Sequence, residues 1–127
     1  FISADDIAEI AVAALTDNRH DGQVYEVTGP RLLTFGDAAA EISRAAGITV
    51  QYVPISFAEF AAALTASGVP QEAAAETVEV FRTVLDGRNA ALTDDVTRAL
   101  GRAAIDFADF ARAAATAGAW QTDRGRR

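Results

Sequence analysis

Cysteine, methionine and lysine are all missing from this sequence. Each absence closes off some chemistry. Without cysteine there is no disulfide, no thiolate nucleophile and no cysteine-based zinc site. A single histidine, His20, leaves a metal ion without its usual ligand set, so no metal site is expected. All eleven basic residues are arginine. No lysine is therefore available to lower the pKa of a tyrosine acid four residues before it.

Positive charge is also scarce. The net charge is −7 and the isoelectric point about 4.5. That is the opposite of a nucleic-acid-binding footprint, and an anionic membrane surface would repel it. No run approaches the roughly 18 apolar residues of a membrane span. The first residues lack the basic region of a signal peptide. The expectation is a soluble, cytoplasmic protein that binds neither nucleic acid nor membrane. Gly-rich phosphate loops are absent too: neither GxGxxG nor the P-loop pattern occurs. No Ser/His/Asp set is readable. The sequence names no catalytic and no cofactor-binding residue.

What is present is a pattern of helices. The chain has 127 residues, half of them hydrophobic, a length suited to one core. Four stretches share a cap-x-x-acid grammar: Ser3–Asp6, Thr34–Asp37, Ser56–Glu59 and Asp106–Asp109. In each, the first residue accepts an orphan backbone N–H and the acid reaches back to the cap. Apolar residues at i, i+3 and i+4 follow, as in Ile7, Ile10, Ala11, Ala14 and Leu15. A helix over 35–46 ends at Gly47, and one from Phe57 stops at Gly68. Pro70 opens a fourth. Thr93 is expected to cap a short fifth, and the last begins near Phe107.

Two segments read as strands. Val24 to Val27 is β-prone and followed by Thr28-Gly29-Pro30; Ile48 to Val53 alternates until Pro54. A helix lies between them, which predicts a right-handed, parallel βαβ unit. Two parallel strands are too few to stand alone, so a partner is expected. Phe1-Ile2 reads as the end of a further strand, whose neighbour the chain is expected to have lost. His20 falls in a turn-like cluster and is expected to be a solvated loop residue. Asp5-Asp6 and Asp94-Asp95 read as first-turn acids that complement helix dipoles.

Four segments together resemble one family. FISADDIA resembles the run that opens the C-terminal lobe of atypical short-chain dehydrogenase/reductases of the NmrA-like group. QVYEVTGPRLLTFGDAAAEISRAAG and ITVQYVPISFAEFAAALTASGVP resemble the two segments that follow it, and TDDVTRALGRAAIDFADFARAAA the closing one. The likeness spans residues 1–115. Two positions depart from it: Asp5 stands where a basic residue is common, and Ser3 where an acid is. In that family a Rossmann half comes first and seats the pyrophosphate of NAD(P) at a helix N-terminus. The resemblance therefore implies an α/β protein. This chain would be its mostly helical C-terminal lobe with a two-stranded parallel βαβ unit, lacking the N-terminal Rossmann half as its intramolecular partner. Residues 1–118 would be the lobe and 119–127 a flexible tail.

The resemblance also implies a function: the substrate-binding part of an NAD(P)-dependent oxidoreductase for a small carbonyl, enone or quinone-like compound. NADP or NAD would bind the intact protein and not this chain alone. The alternative is an NADP(H)-sensing regulatory protein without catalysis. Asp6 matches the family's Asp before Ile-Ala and is assigned a structural role, as the acid of the Ser3 capping box. Phe1 and Ile2 match the run beside the cleft. Ligands of open α/β sheets bind outside the carboxyl ends of strands, which adds Phe57 and Phe60, just beyond strand 48–53. Those four are the candidate substrate-binding residues.

Overall fold

The computed structural model describes residues 1–120. The predicted frayed tail, Gln121 to Arg127, lies outside the described residues. Six α-helices are formed among the described residues: α1 (Ala4–Thr16), α2 (Phe35–Ala46), α3 (Phe57–Ala66), α4 (Gln71–Val84), α5 (Asp95–Leu100) and α6 (Phe107–Thr116). One turn of 3-10 helix, Asn18–His20, follows α1. The chain divides into two compact units, Phe1–Tyr52 with Leu92–Arg127, and Val53–Ala91.

In the first unit α1 packs on α5 and α2 on α6. Ile10 of α1 meets Val96 and Ala99 of α5 in the core, flanked by Tyr25, Val27 and Leu100. The pairing of α2 and α6 carries a buried alanine on each helix, Ala38 and Ala111. In the second unit α3 packs on α4. Ala74 and Val78 are buried there, and the Phe60 and Phe81 rings meet edge to face at 5.3 Å.

Two of the four caps form in full. The Thr34 and Ser56 hydroxyls accept the Asp37 and Glu59 N–H groups, and both carboxylates reach back to the cap backbone. At Ser3 the hydroxyl accepts from the Asp5 N–H instead, and the Asp6 carboxylate does not reach back because it is engaged elsewhere. The Asp106 carboxylate accepts from Ala108. Helix α5 starts one residue later than expected, and Asp94 rather than Thr93 precedes it.

No strand is formed among the described residues, so the βαβ unit is corrected. Both segments spend their backbone groups on side chains. The Glu26 N–H donates to the Asp95 carboxylate at 2.7 Å, and its carbonyl accepts from the Thr93 hydroxyl. Arg98 donates to the Val24 carbonyl at 2.7 Å. The Val50 N–H donates to the Ser43 hydroxyl of α2 at 2.9 Å. Backbone groups paired this way satisfy their hydrogen bonding without a ladder. Thr93 thus fails to cap α5 because its hydroxyl is committed to Glu26.

Candidate functional site

The residues that open the chain and those that open α6 form one aromatic wall. Phe1 meets Phe35 at 5.6 Å and Phe107 at 5.2 Å, both edge to face. Phe107 continues to Phe110, and Phe110 to Trp120, the single tryptophan. At the other end Phe35 stacks on Tyr52 at 6.0 Å. Such edge and offset contacts are the favoured geometry of aromatic pairs. Against this wall lies a cavity of about 220 Å³, bounded by Phe1, Ile2, Ser3, Ala4, Ile105, Phe107 and Phe110. None of its lining side chains is charged. Ser3 carries the one side-chain hydroxyl, which already accepts from Asp5.

Backbone packing sets where Phe1 stands. A Cβ on Gly29 would lie 2.1 Å from the Phe1 carbonyl oxygen. Only glycine permits that approach. The Thr28-Gly29-Pro30 turn is therefore the seat of the first residue of the wall.

Two ionic groups border the opposite side, residues 102–107. Asp6 has no exposed surface. Its carboxylate accepts from Arg102 at 2.7 Å and from the Ile105 N–H at 2.8 Å. Arg102 also pairs with Glu9 at 2.6 Å. Asp6 is thus a buried anchor between α1 and the residues before α6, and not the acid of a capping box. The second group centres on Arg31. It binds both oxygens of Asp106, at 2.7 and 2.9 Å, and Glu41 of α2 at 2.8 Å. Arg31 first, and the Ala108 N–H next, hold the Asp106 carboxyl down to about 2. The same two carboxylates raise the guanidinium of Arg31 above its ordinary value.

His20 corrects its expectation. It is only 6 % exposed. Its Nδ1 lies 2.7 Å from the Tyr25 hydroxyl, and Arg19 donates to its Nε2 at 3.1 Å. The histidine joins the 3-10 turn to the segment leading away from it. Arg98, stacked 4.4 Å over the Tyr25 ring, closes that cluster.

Of the four predicted site residues, Phe1 and Ile2 lie on the cavity of the first unit. Phe57 and Phe60 belong to the second unit. There Arg82 sits 4.7 Å over the Phe57 ring, and Phe60 packs on Phe81. Both are half-buried. Sequence reasoning missed Ile105, Phe107 and Phe110. Their signal was available, because Asp106-Phe107-Ala108-Asp109-Phe110 repeats the cap–Phe–x–x–Phe pattern of Ser56 to Phe60. The pattern alone does not tell which copy borders a cavity.

A dinucleotide pyrophosphate takes its seat at a helix N-terminus. That seat needs glycines just before a helix, where the N–H groups point outward. The left-handed glycines here, such as Gly47 at φ 66° and Gly101 at φ 71°, stand after helices. Among the described residues no three His, Cys, Asp or Glu side chains gather as metal ligands. Nor is any described helix long and apolar enough to cross a membrane.

No protein-family profile matches the chain. It is 40 % identical over 117 residues to an NAD(P)H azoreductase of Xenophilus azovorans, covering 92 % of this chain and 41 % of that protein. The crystal structure of a Citrobacter triphenylmethane reductase complexed with NADP(H) superposes with a TM-score of 0.72 at 24 % identity. That match covers 89 % of this chain and 39 % of the reductase, and it shows a shared fold. An NADPH-dependent quinone oxidoreductase of Escherichia coli gives 0.68 at 27 % identity, over 84 % of this chain and 38 % of that one. The chain thus spans about 40 % of the length of the relatives it matches. Over most of its length the chain is thus similar to one portion of NAD(P)H-dependent oxidoreductases, as expected for the C-terminal lobe of an NmrA-like atypical short-chain dehydrogenase/reductase.

Proposed function

We propose that this chain is the substrate-binding part of an NAD(P)H-dependent oxidoreductase acting on a small, flat carbonyl, enone or quinone-like compound. The observation that carries this is the cavity against Phe1, Phe107 and Phe110, with its uncharged, aromatic lining. Small-molecule pockets are mostly apolar with few polar groups. Aromatic rings offer stacking area at low entropic cost, which suits a planar substrate. The kinship with an azoreductase and a quinone oxidoreductase supports the same reading, since quinones and azo compounds are flat and conjugated.

The cofactor, NADP or NAD, supplies hydride in this proposal. Its seat is carried by sequence other than these 127 residues. What this chain supplies is a dry wall and an orientation. Phe1 and Ile2 are the substrate contacts we retain from the sequence, joined by Ile105, Phe107 and Phe110. Phe57 and Phe60 are retained as apolar candidates of the second unit.

The test is turnover by the protein that carries this chain together with its cofactor-binding portion. NADPH consumption is followed with 1,4-naphthoquinone as acceptor. Phe107→Ala is expected to raise KM for the quinone roughly tenfold, the loss of one well-placed aromatic contact, with KM for NADPH unchanged. An unmodified protein that binds NADPH but consumes none with any quinone, enone or aldehyde would overturn the oxidoreductase reading. It would favour a cofactor-sensing role.

A further inference from the structure

The segment Arg102 to Asp106 carries one wall of the cavity, and it is held at both ends by ion pairs that do not line the cavity. At one end the fully buried Asp6 takes both Arg102 and the Ile105 N–H. At the other, Arg31 grips both oxygens of Asp106, the residue just before Phe107. Asp6 itself lies one turn beyond Ser3 and Ala4, which form the facing wall. The Asp6 clamp ties residues 102–105 to α1, which begins at Ala4 of the facing wall, and the Arg31 clamp ties Asp106 to the segment whose Gly29, two residues earlier, packs on the Phe1 carbonyl.

We infer that Asp6 and Arg31 are positioning residues, which set the width of the aromatic cavity and so the affinity for a flat, uncharged ligand. The inference rests on the reading of this cavity as the substrate site. Three features carry it beyond ordinary stabilisation. A carboxylate taken fully out of water is costly unless every oxygen is engaged, and both oxygens of Asp6 are used on the residues that bear the wall. Arg31 forks onto Asp106 with two parallel bonds, a geometry that fixes direction as well as distance. It also binds Glu41, whose second partner is Arg44 at 3.0 Å, so the fork is tied to α2 on its far side. A site held by such supports keeps its geometry. One left to loose side chains does not.

The molecule carries its own reporter. Trp120 is the single tryptophan and packs against Phe110, a cavity residue. The probe is 1,4-naphthoquinone, an uncharged quencher of indole emission. Titrated into the chain, it is expected to quench Trp120 saturably. Asp6→Asn and Arg31→Gln are each expected to weaken that binding about tenfold at unchanged helical content. Arg31→Lys, which keeps the charge but loses the fork, is expected to recover part of the affinity. Arg88→Gln, which breaks the exposed pair with Asp86, serves as control and is expected to leave the titration unchanged.

A merely structural role would lower the unfolding midpoint while leaving the dissociation constant of the folded protein alone, and that result overturns the inference. So does the absence of saturable quenching in the unmodified chain. If Asp6→Asn does not fold, Arg31→Gln decides the matter, since Arg31 is 40 % exposed and its loss leaves no fully buried charge. The titration is independent of turnover. Quinone turnover with unaltered quenching in the variants sinks the positioning role and spares the oxidoreductase reading. Weakened quenching without turnover does the reverse.

Discussion

Single residues decide the edges of this site. Gly29 is one: the Phe1 carbonyl occupies the place where a side chain would begin. Gly29→Ala forces the backbone of residues 1–2 to move, at a cost of about 1–3 kcal/mol, the usual range for overpacking. Urea unfolding measures it, and a midpoint equal to the unmodified chain would contradict the close approach. Asp106 is another. Its carboxyl is held down to about 2 in the folded chain, by Arg31 above all, against about 3.9 when unfolded. The ionised form thus stabilises the fold above about pH 4, and that contribution is lost as pH falls through about 2. Asp106→Asn is expected to be the less stable form at pH 7, with the difference shrinking between about pH 4 and pH 2. Thermal melts across that range check it; a constant difference would refute the ion pair's role. Asp6 marks the limit of sequence reading at this scale. Its spacing from Ser3 fits a capping box, yet its partners, Arg102 and Ile105, lie nearly a hundred positions away. No local pattern could show them.

Elements were legible where their causes are local. Thr34–Asp37 and Ser56–Glu59 each satisfy two orphan donors at a helix start, and both helices begin where those residues place them. Thr34→Ala and Ser56→Ala are each expected to cost about 1 kcal/mol, read from denaturant midpoints. The depressed carboxyls of Asp37, held by Thr34, and Glu59, held by Ser56, come from the same bonds. The strands were not legible, because a ladder is a tertiary event. Residues 24–27 and 48–53 have β-prone side chains, but α5 and α2 offer Asp95, Arg98 and Ser43 to their backbone groups. Ser43→Ala removes the acceptor of the Val50 N–H and is expected to cost about 1–3 kcal/mol if that group stays dry. Amide exchange at Val50 should quicken in this variant. Unchanged protection there would mean that another acceptor holds the group.

At the scale of the whole molecule, the kinship with NAD(P)H-dependent oxidoreductases was legible from the order of weak motifs, which no single element carries. The described core is built mostly of small side chains. Of the buried apolar residues, Ala38, Ala74, Ala99 and Ala111 contribute little area, and Ile10, Val78 and Val96 carry the rest. Large side chains such as Val12, Leu15 and Val24 stay exposed. The cavity itself was not legible in full. Its near wall, Phe1 and Ile2, came from the resemblance, while its far wall depends on α6 meeting the chain's first residues. Whether the chain binds a flat, uncharged ligand at that place is the central claim, and backbone and side-chain NMR shifts on addition of 1,4-naphthoquinone test it most directly. The account predicts saturable shifts concentrated at Ile2, Ala4, Ile105, Phe107 and Phe110. Shifts confined to Phe57, Phe60 and their neighbours in the second unit, or none that saturate, would contradict it.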